Sequence, residues 1–129
     1  MSQKKSVHSA SAPEAIGPYS QAIISGNTVY LSGQIPLVPE TMNLAGEDIE
    51  TQTRQVFANL AAVAEAAGGS LEDLLKMNIY LTNLDHFAIV NDIMSELLSE
   101  PYPARATVQV SALPRGAGIE IDGILALPV

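Results

Sequence analysis

The sequence predicts an α+β fold in which a mixed β-sheet carries two helices packed on one of its faces. Two observations carry that expectation. Apolar residues keep three/four spacing in two stretches and read as strands in five others. The resulting order, ββ-α-β-α-ββ, sets each helix between strands, the pattern of helices laid over one side of a sheet. No repeat, low-complexity run or Gly/Pro/Ser-rich linker divides the 129 residues, so residues 1–129 are expected to form one domain.

Ser20 to Ile24 reads as the first strand, and the Ser25-Gly26-Asn27 turn leads into Thr28 to Ser32, a hairpin signal. Gly33 to Gly46 contains Pro36 and Pro39 and is expected as a long loop. A helix is predicted from about Glu47 to Ala67, with Ile49, Val56, Phe57, Leu60, Val63, Ala64 and Ala67 on its apolar stripe. Glu47, Asp48 and Glu50 suit its positive N-terminal end, and Gly68-Gly69 ends it. Ser70 and Asp73 have the spacing of a cap on one short helical turn. Lys76 to Thr82 alternates as a strand. A second helix follows from about Leu84 to Ser99, with Phe87, Val90, Met94 and Leu97 on one stripe. Arg105 to Ser111 and Ile119 to Leu127 are the closing strands.

Strand residues two apart share a face. Val29, Leu31, Met77, Ile79, Leu81, Ala106, Val108, Val110, Ile119 and Ile121 are therefore expected against the helices. The opposite face then carries Thr28, Tyr30, Ser32, Lys76, Asn78, Tyr80, Thr82, Arg105, Thr107, Gln109, Glu120 and Asp122. Only four of those twelve are charged, fewer than a solvent-washed face carries, so this face is expected to pack against another copy of the chain.

Composition removes several function classes. Six basic residues against fourteen acidic ones leave a net charge of −8, which repels phosphate backbones and anionic membranes. Zero cysteines exclude disulfides, thiolate nucleophiles and zinc ribbons. The two histidines, His8 and His86, join no ligand constellation, so no metal is expected. Lys4 and Lys5 are expected in a tail, the polar run after them lacks an apolar signal core, and glycines and prolines break the uncharged stretch from Ala15 to Pro39. Neither a membrane span nor secretion is expected, and the setting is taken as the cytoplasm.

Scarcity points to two residues. Arg105 begins a strand in the apolar context Pro103-Ala104-Arg105-Ala106-Thr107-Val108, and Glu120 and Asp122 are the only acids inside a strand. Burying such groups costs desolvation energy unless something pairs with them. Arginine's planar fork suits a small carboxylate, with Glu120 handling a proton or a water. Arg105 and Glu120 could equally pair with each other, or meet solvent. If the last two strands form a hairpin, Arg105 lies about six residues, roughly 20 Å, from the level of Glu120. A shared site would then need an intervening strand or a neighbouring subunit.

Several blocks in order carry a family resemblance: Ala15–Ala22, Tyr30–Pro36, Asp85–Asn91, Pro101–Val110, Leu113-Pro114 and Ile119–Asp122. Together they resemble the RidA/YjgF family of reactive-intermediate deaminases over nearly the whole chain. The resemblance implies a chorismate-mutase-like fold assembled as a homotrimer with clefts between subunits. It implies hydrolysis of 2-imino or enamine acids, such as 2-iminopropanoate and 2-iminobutanoate, to 2-keto acids and ammonia, with no cofactor. It also implies that Arg105 binds the substrate carboxylate and Glu120 positions the attacking water. Tyr19, Ser32, Gly33, Phe87, Asn91 and Thr107 would line the cleft. Thr107 departs from many bacterial relatives, which carry cysteine there, and its γ-branch reshapes the pocket. A non-catalytic metabolite-binding or chaperone-like trimer is the second reading. An RNA-acting translation inhibitor is the third, disfavoured by the scattered cations.

Overall fold

Each alternating run has an apolar face to bury, and the runs meet that need by joining one sheet. In this computed structural model, which describes residues 3–128, the strands are β1 (Lys5–Val7), β2 (Ala22–Ser25), β3 (Thr28–Gln34), β4 (Leu74–Leu81), β5 (Ala104–Gln109) and β6 (Ile119–Ala126). Their order across the sheet is β1-β2-β3-β6-β4-β5. Neighbours are antiparallel except β4 and β5, which run parallel, so the sheet is mixed. The helices are α1 (Ile49–Ala67) and α2 (Phe87–Leu97). A parallel pair needs a crossover, and α2 supplies it between β4 and β5.

The core lies between one sheet face and the helices. Val29 and Leu31 of β3, Met77, Ile79 and Leu81 of β4, and Ile119, Ile121 and Leu125 of β6 meet Val56, Phe57, Leu60 and Val63 of α1. Val90, Ile93 and Met94 of α2 complete it. Each such side chain contributes about 1.5–3 kcal/mol of burial. Asp48 caps α1 by accepting from Thr51 N at 2.9 Å and Thr51 Oγ1 at 2.8 Å. The backbone bond first, then the hydroxyl, holds its carboxyl below the ordinary aspartate value. At the other end Gly68 takes a left-handed φ of 100°, which closes the helix.

Buried amides tie the long connections to this frame. Asn59 donates to Leu37 O at 2.9 Å, and Gln52 donates to Gly46 O while accepting from Gly118 N, both at 2.8 Å. Gln21 donates to Pro13 O at 2.8 Å and accepts from Ser9 N at 2.6 Å. The segment before β2 is therefore fastened down.

Two sequence expectations are corrected, for Lys5 and for the facing of β5, and the condition on the last two strands is answered. Lys5, expected in a tail, begins β1, whose Val7 joins the core. The last two strands form no hairpin, because β4 lies between β5 and β6. The facing of β5 is also reversed. Residues directly paired across strands share a face, and the register pairs Met77 with Arg105, Ile79 with Thr107 and Leu81 with Gln109. Arg105, Thr107 and Gln109 thus stand on the helix side, while Ala106 and Val108 stand on the other; Val110, just past the strand's end, continues their alternation. The apolar alternation of β5 misled because the helices do not cover this edge strand: every residue of it is exposed except half-buried Thr107.

Replacing Gln52 by Leu strips Gly46 O and Gly118 N of their partner. We expect a loss of about 2 kcal/mol in urea unfolding with an unchanged m-value. A loss below about 0.5 kcal/mol would show that the amide does not fasten these loops.

Candidate functional site

Arg105 occupies the second position of β5, on the helix side and at the margin of α2. Its guanidinium carbon lies 5.0 Å from the centre of the Phe87 ring, and Nη1 donates to Met94 Sδ at 3.4 Å. A cation held on an aromatic face in this way gains about 0.5–1 kcal/mol of attraction without losing its charge. Among the described residues no carboxylate forms an ion pair with it. It fronts a hollow of about 320 Å³ that Asn91, Met94, Ser95, Tyr102 and Pro103 also line. Thr107, two residues along β5, stands on the same face, with its Oγ1 buried and unpartnered. An unpaired fork beside a hollow is built to receive an oxyanion.

Glu120 stands on the opposite face of the sheet, beside Tyr80 in the register. The pairing of Leu31 with Gly123 and of Gln34 with Ile121 leaves Ser32 and Gly33 both facing Asp122, a β-bulge. Ser32 fixes the bulge, its Oγ donating to Ser20 O at 2.5 Å and its N to Gln21 O at 3.0 Å. A Cβ at Gly33 would stand 2.9 Å from Glu120 Cδ and nearer still to Oε2, so any other residue there would push the Glu120 carboxylate out of its present place. The half-buried Glu120 carboxyl is pushed up from its ordinary value, first by burial and then by the charge of Asp122. Asp122 accepts from Asn78 Nδ2 at 2.8 Å and from Tyr80 OH at 3.1 Å. Beside Gly33 a second hollow, of about 300 Å³, is lined in part by Tyr19, Gln34, Ile35 and Arg115.

The sequence-selected residues thus fall into two groups. Phe87, Asn91, Arg105 and Thr107 gather around α2 and β5. Tyr19, Ser32, Gly33 and Glu120 gather around the β3 bulge. Tyr80 pairs with both Val108 and Glu120, so Arg105 lies three residues along and two strands across from Glu120. That is about 14 Å between backbones, with the side chains on opposite faces. One chain neither pairs these two residues nor brings them to one small ligand. Sequence reasoning missed Met94 and Tyr102 as lining residues. Met94 had been placed on the core stripe, and no spacing signal separates a core methionine from one that also floors a hollow. The Asn78, Tyr80 and Asp122 cluster was missed too, although the pleat already put all three on one face. No helix is long and apolar enough to cross a membrane, and no cluster of three or more potential metal ligands occurs among the described residues.

Comparison with known proteins finds relatives that match in sequence and fold over nearly the whole chain. The family profile described as Endoribonuclease L-PSP matches residues 9–127. A 2-iminobutanoate/2-iminopropanoate deaminase of Dermatophagoides farinae is 43% identical over 127 residues, spanning 98% of this chain and 99% of its own. The crystal structure of RidA from an Antarctic Psychrobacter superposes with a TM-score of 0.92 at 52% identity, over 95% of this chain and 99% of that one. The crystal structure of TdcF from E. coli with bound serine gives a TM-score of 0.90 at 36% identity, over 96% and 99%.

Glu120 is held in a setting that disfavours its charge, so its ionisation opposes folding. A carboxyl whose proton is bound more tightly in the folded state gives stability that falls as pH rises from the unfolded value through the folded one. Glu120→Gln is therefore expected to raise the unfolding midpoint at pH 7, with the gain vanishing below the ordinary glutamate range. A gain that persists unchanged at pH 3.5, or no gain at pH 7, would contradict this placement of the carboxylate.

Proposed function

The chain belongs to the Endoribonuclease L-PSP family, which takes in the RidA deaminases, and from that membership we propose that it hydrolyses 2-imino acids to 2-keto acids and ammonia. The observation that carries this reading is the Arg105 guanidinium, held on Phe87 at 5.0 Å beside a hollow and lacking any acidic partner among the described residues. The deaminase relative acts on 2-iminobutanoate and 2-iminopropanoate by name, and the serine in the TdcF crystal carries the same α-carboxylate.

In this reading the site forms where two copies meet. Tyr30 and Val108, 50% and 46% exposed, stand on the sheet face away from the helices, and apolar side chains left open there call for a cover. A second copy of the chain, in a homotrimer, supplies the cover and brings the Arg105 group of one subunit to the Glu120 group of the next. Arg105 grips the carboxylate of the imino acid with two parallel hydrogen bonds. Asn91 and Phe87 bound the cleft on that side, with Thr107 beside them, and Tyr19 with the Ser32-Gly33 backbone closes the other. Glu120 accepts a proton from a water as its oxygen bonds to the imine carbon. It returns the proton to nitrogen; as the C–N bond breaks, the new hydroxyl becomes the keto oxygen and gives its proton to Glu120, which passes it to the departing ammonia, so the 2-keto acid and ammonium leave. A protonated imine is already electrophilic, so orientation and one proton shuttle suffice.

An RNA-cleaving role, which the family description suggests, would need clustered cations. Six basic residues stand against fourteen acids here, and Arg54 is engaged by Glu50 at 3.3 Å and Glu96 at 3.0 Å. A non-catalytic binder would use the same cleft but would not speed loss of the imine.

With 2-iminopropanoate generated in situ, Arg105→Ala is expected to lower kcat/KM roughly a hundredfold or more, and Arg105→Lys nearly as far, because the fork is lost. The unfolding free energy should stay within about 1 kcal/mol, since Arg105 makes no ion pair among the described residues. Wild-type acceleration by either variant would refute the clamp. Sedimentation at micromolar concentration should give three copies, and a monomer would remove the shared cleft.

A further inference from the structure

The sheet face around Glu120 spends its hydrogen-bond donors on the neighbouring acid. Tyr80 is the direct register partner of Glu120, yet its hydroxyl donates to Asp122 at 3.1 Å, and Asn78 donates to the other Asp122 oxygen at 2.8 Å. Glu120 itself receives no side-chain hydrogen bond among the described residues, and it lies where Gly33 leaves room for its carboxylate. Two strand residues on one face stand about 7 Å apart, close enough for one fixed charge to bias the other. We propose that Asp122, pinned by Asn78 and Tyr80, is a positioning residue whose fixed negative charge keeps Glu120 a competent proton acceptor.

A donor on each oxygen fixes the Asp122 carboxylate in place. Asp122 is therefore the anchored acid of the pair, and Glu120 the one left without such donors among the described residues. Burial and the Asp122 charge both push the Glu120 carboxyl up. The other groups on the surrounding elements leave this division intact. Lys76 on β4 pairs in register with Ile124 and forms no ion pair among the described residues, and Tyr30 on β3 likewise pairs with Ile124. Ala106 and Val108 on β5 carry no charge. Glu14, Tyr19 and Arg115 line the hollow beyond Gly33. In the proposed assembly Arg105 of a second copy also approaches, its charge matched by the substrate's own carboxylate. The catalytic part of the inference rests on the deaminase reading; the pairing of the two acids does not.

The test follows the Glu120 side-chain carboxyl by ¹³C NMR during a pH titration of the full chain, with the signal assigned by its absence in Glu120→Gln. Asp122→Asn should move the midpoint of Glu120 to lower pH, whereas Tyr80→Phe, which keeps the charge, should not lower it. In imine hydrolysis the acid limb of the pH–rate profile should move down with Asp122→Asn. The plateau rate should fall roughly threefold or more, since a less basic carboxylate takes a proton less readily. Should Asp122→Asn not assemble, Asp122→Thr removes the same charge with a residue suited to strands. An unmoved midpoint and limb in a folded charge-removing variant would overturn the proposal, as would an equal downward shift with Tyr80→Phe. A lowered midpoint in a protein that hydrolyses no imine would support the pairing of the acids and remove the deaminase reading instead.

Discussion

The parallel register of β4 with β5 decides on which side of the sheet Arg105 stands, and the arrangement of the site follows from it. Pairing Met77 with Arg105 puts the guanidinium on the helix side. Pairing Tyr80 with Glu120 puts that carboxylate on the other. With β4 between their strands, the two cannot neutralise each other. A slip of one residue in β5 would bring Arg105 onto the face of Glu120.

Each group is therefore left unmatched in a physically definite way. Arg105 is steadied by the Phe87 ring and the Met94 sulfur, neither of which offers a negative charge. Thr107 Oγ1 is buried without a hydrogen-bond partner among the described residues. Glu120 is half-buried beside another acid and, among the described residues, without a side-chain donor of its own. These are features that a fold selected only for stability would remove, and they cluster at two places rather than being spread over the molecule. The rest of the chain is well satisfied: Gln21, Gln52 and Asn59 spend their buried amides on the backbone of the connections that border the bulge.

Much of the fold was legible because helices and buried strands must repeat with the period of their burial. The stripe from Ile49 to Ala67 and the alternation from Met77 to Leu81 both became core. The reading of β5 failed for the same reason that the others succeeded. Alternation reports which residues are covered, not by what, and Ala106 and Val108 face away from the helices of their own chain. The β1 strand escaped notice because three residues give too short a run for periodicity, and only Val7 is buried. Arg105 and Glu120 stood out by scarcity, a charge in an apolar strand being costly. Their separation did not, because it depends on β4 inserting between strands that are neighbours in sequence. The match of Asp122 to Tyr80 and Asn78 was hidden for a similar reason, since 42 and 44 residues part them along the chain.

The central claim is that one ligand is gripped by Arg105 of one copy and served by Glu120 of another. Subunit complementation tests it most directly. Arg105→Ala and Glu120→Gln chains, each inactive alone, would be unfolded together, refolded and assayed for imine hydrolysis. Random assembly of shared clefts restores both groups in about a quarter of the sites, so activity should return to about that fraction of wild type. A mixture as inactive as its components, in material shown to contain both chains in one assembly, would mean that the two residues do not serve a common site.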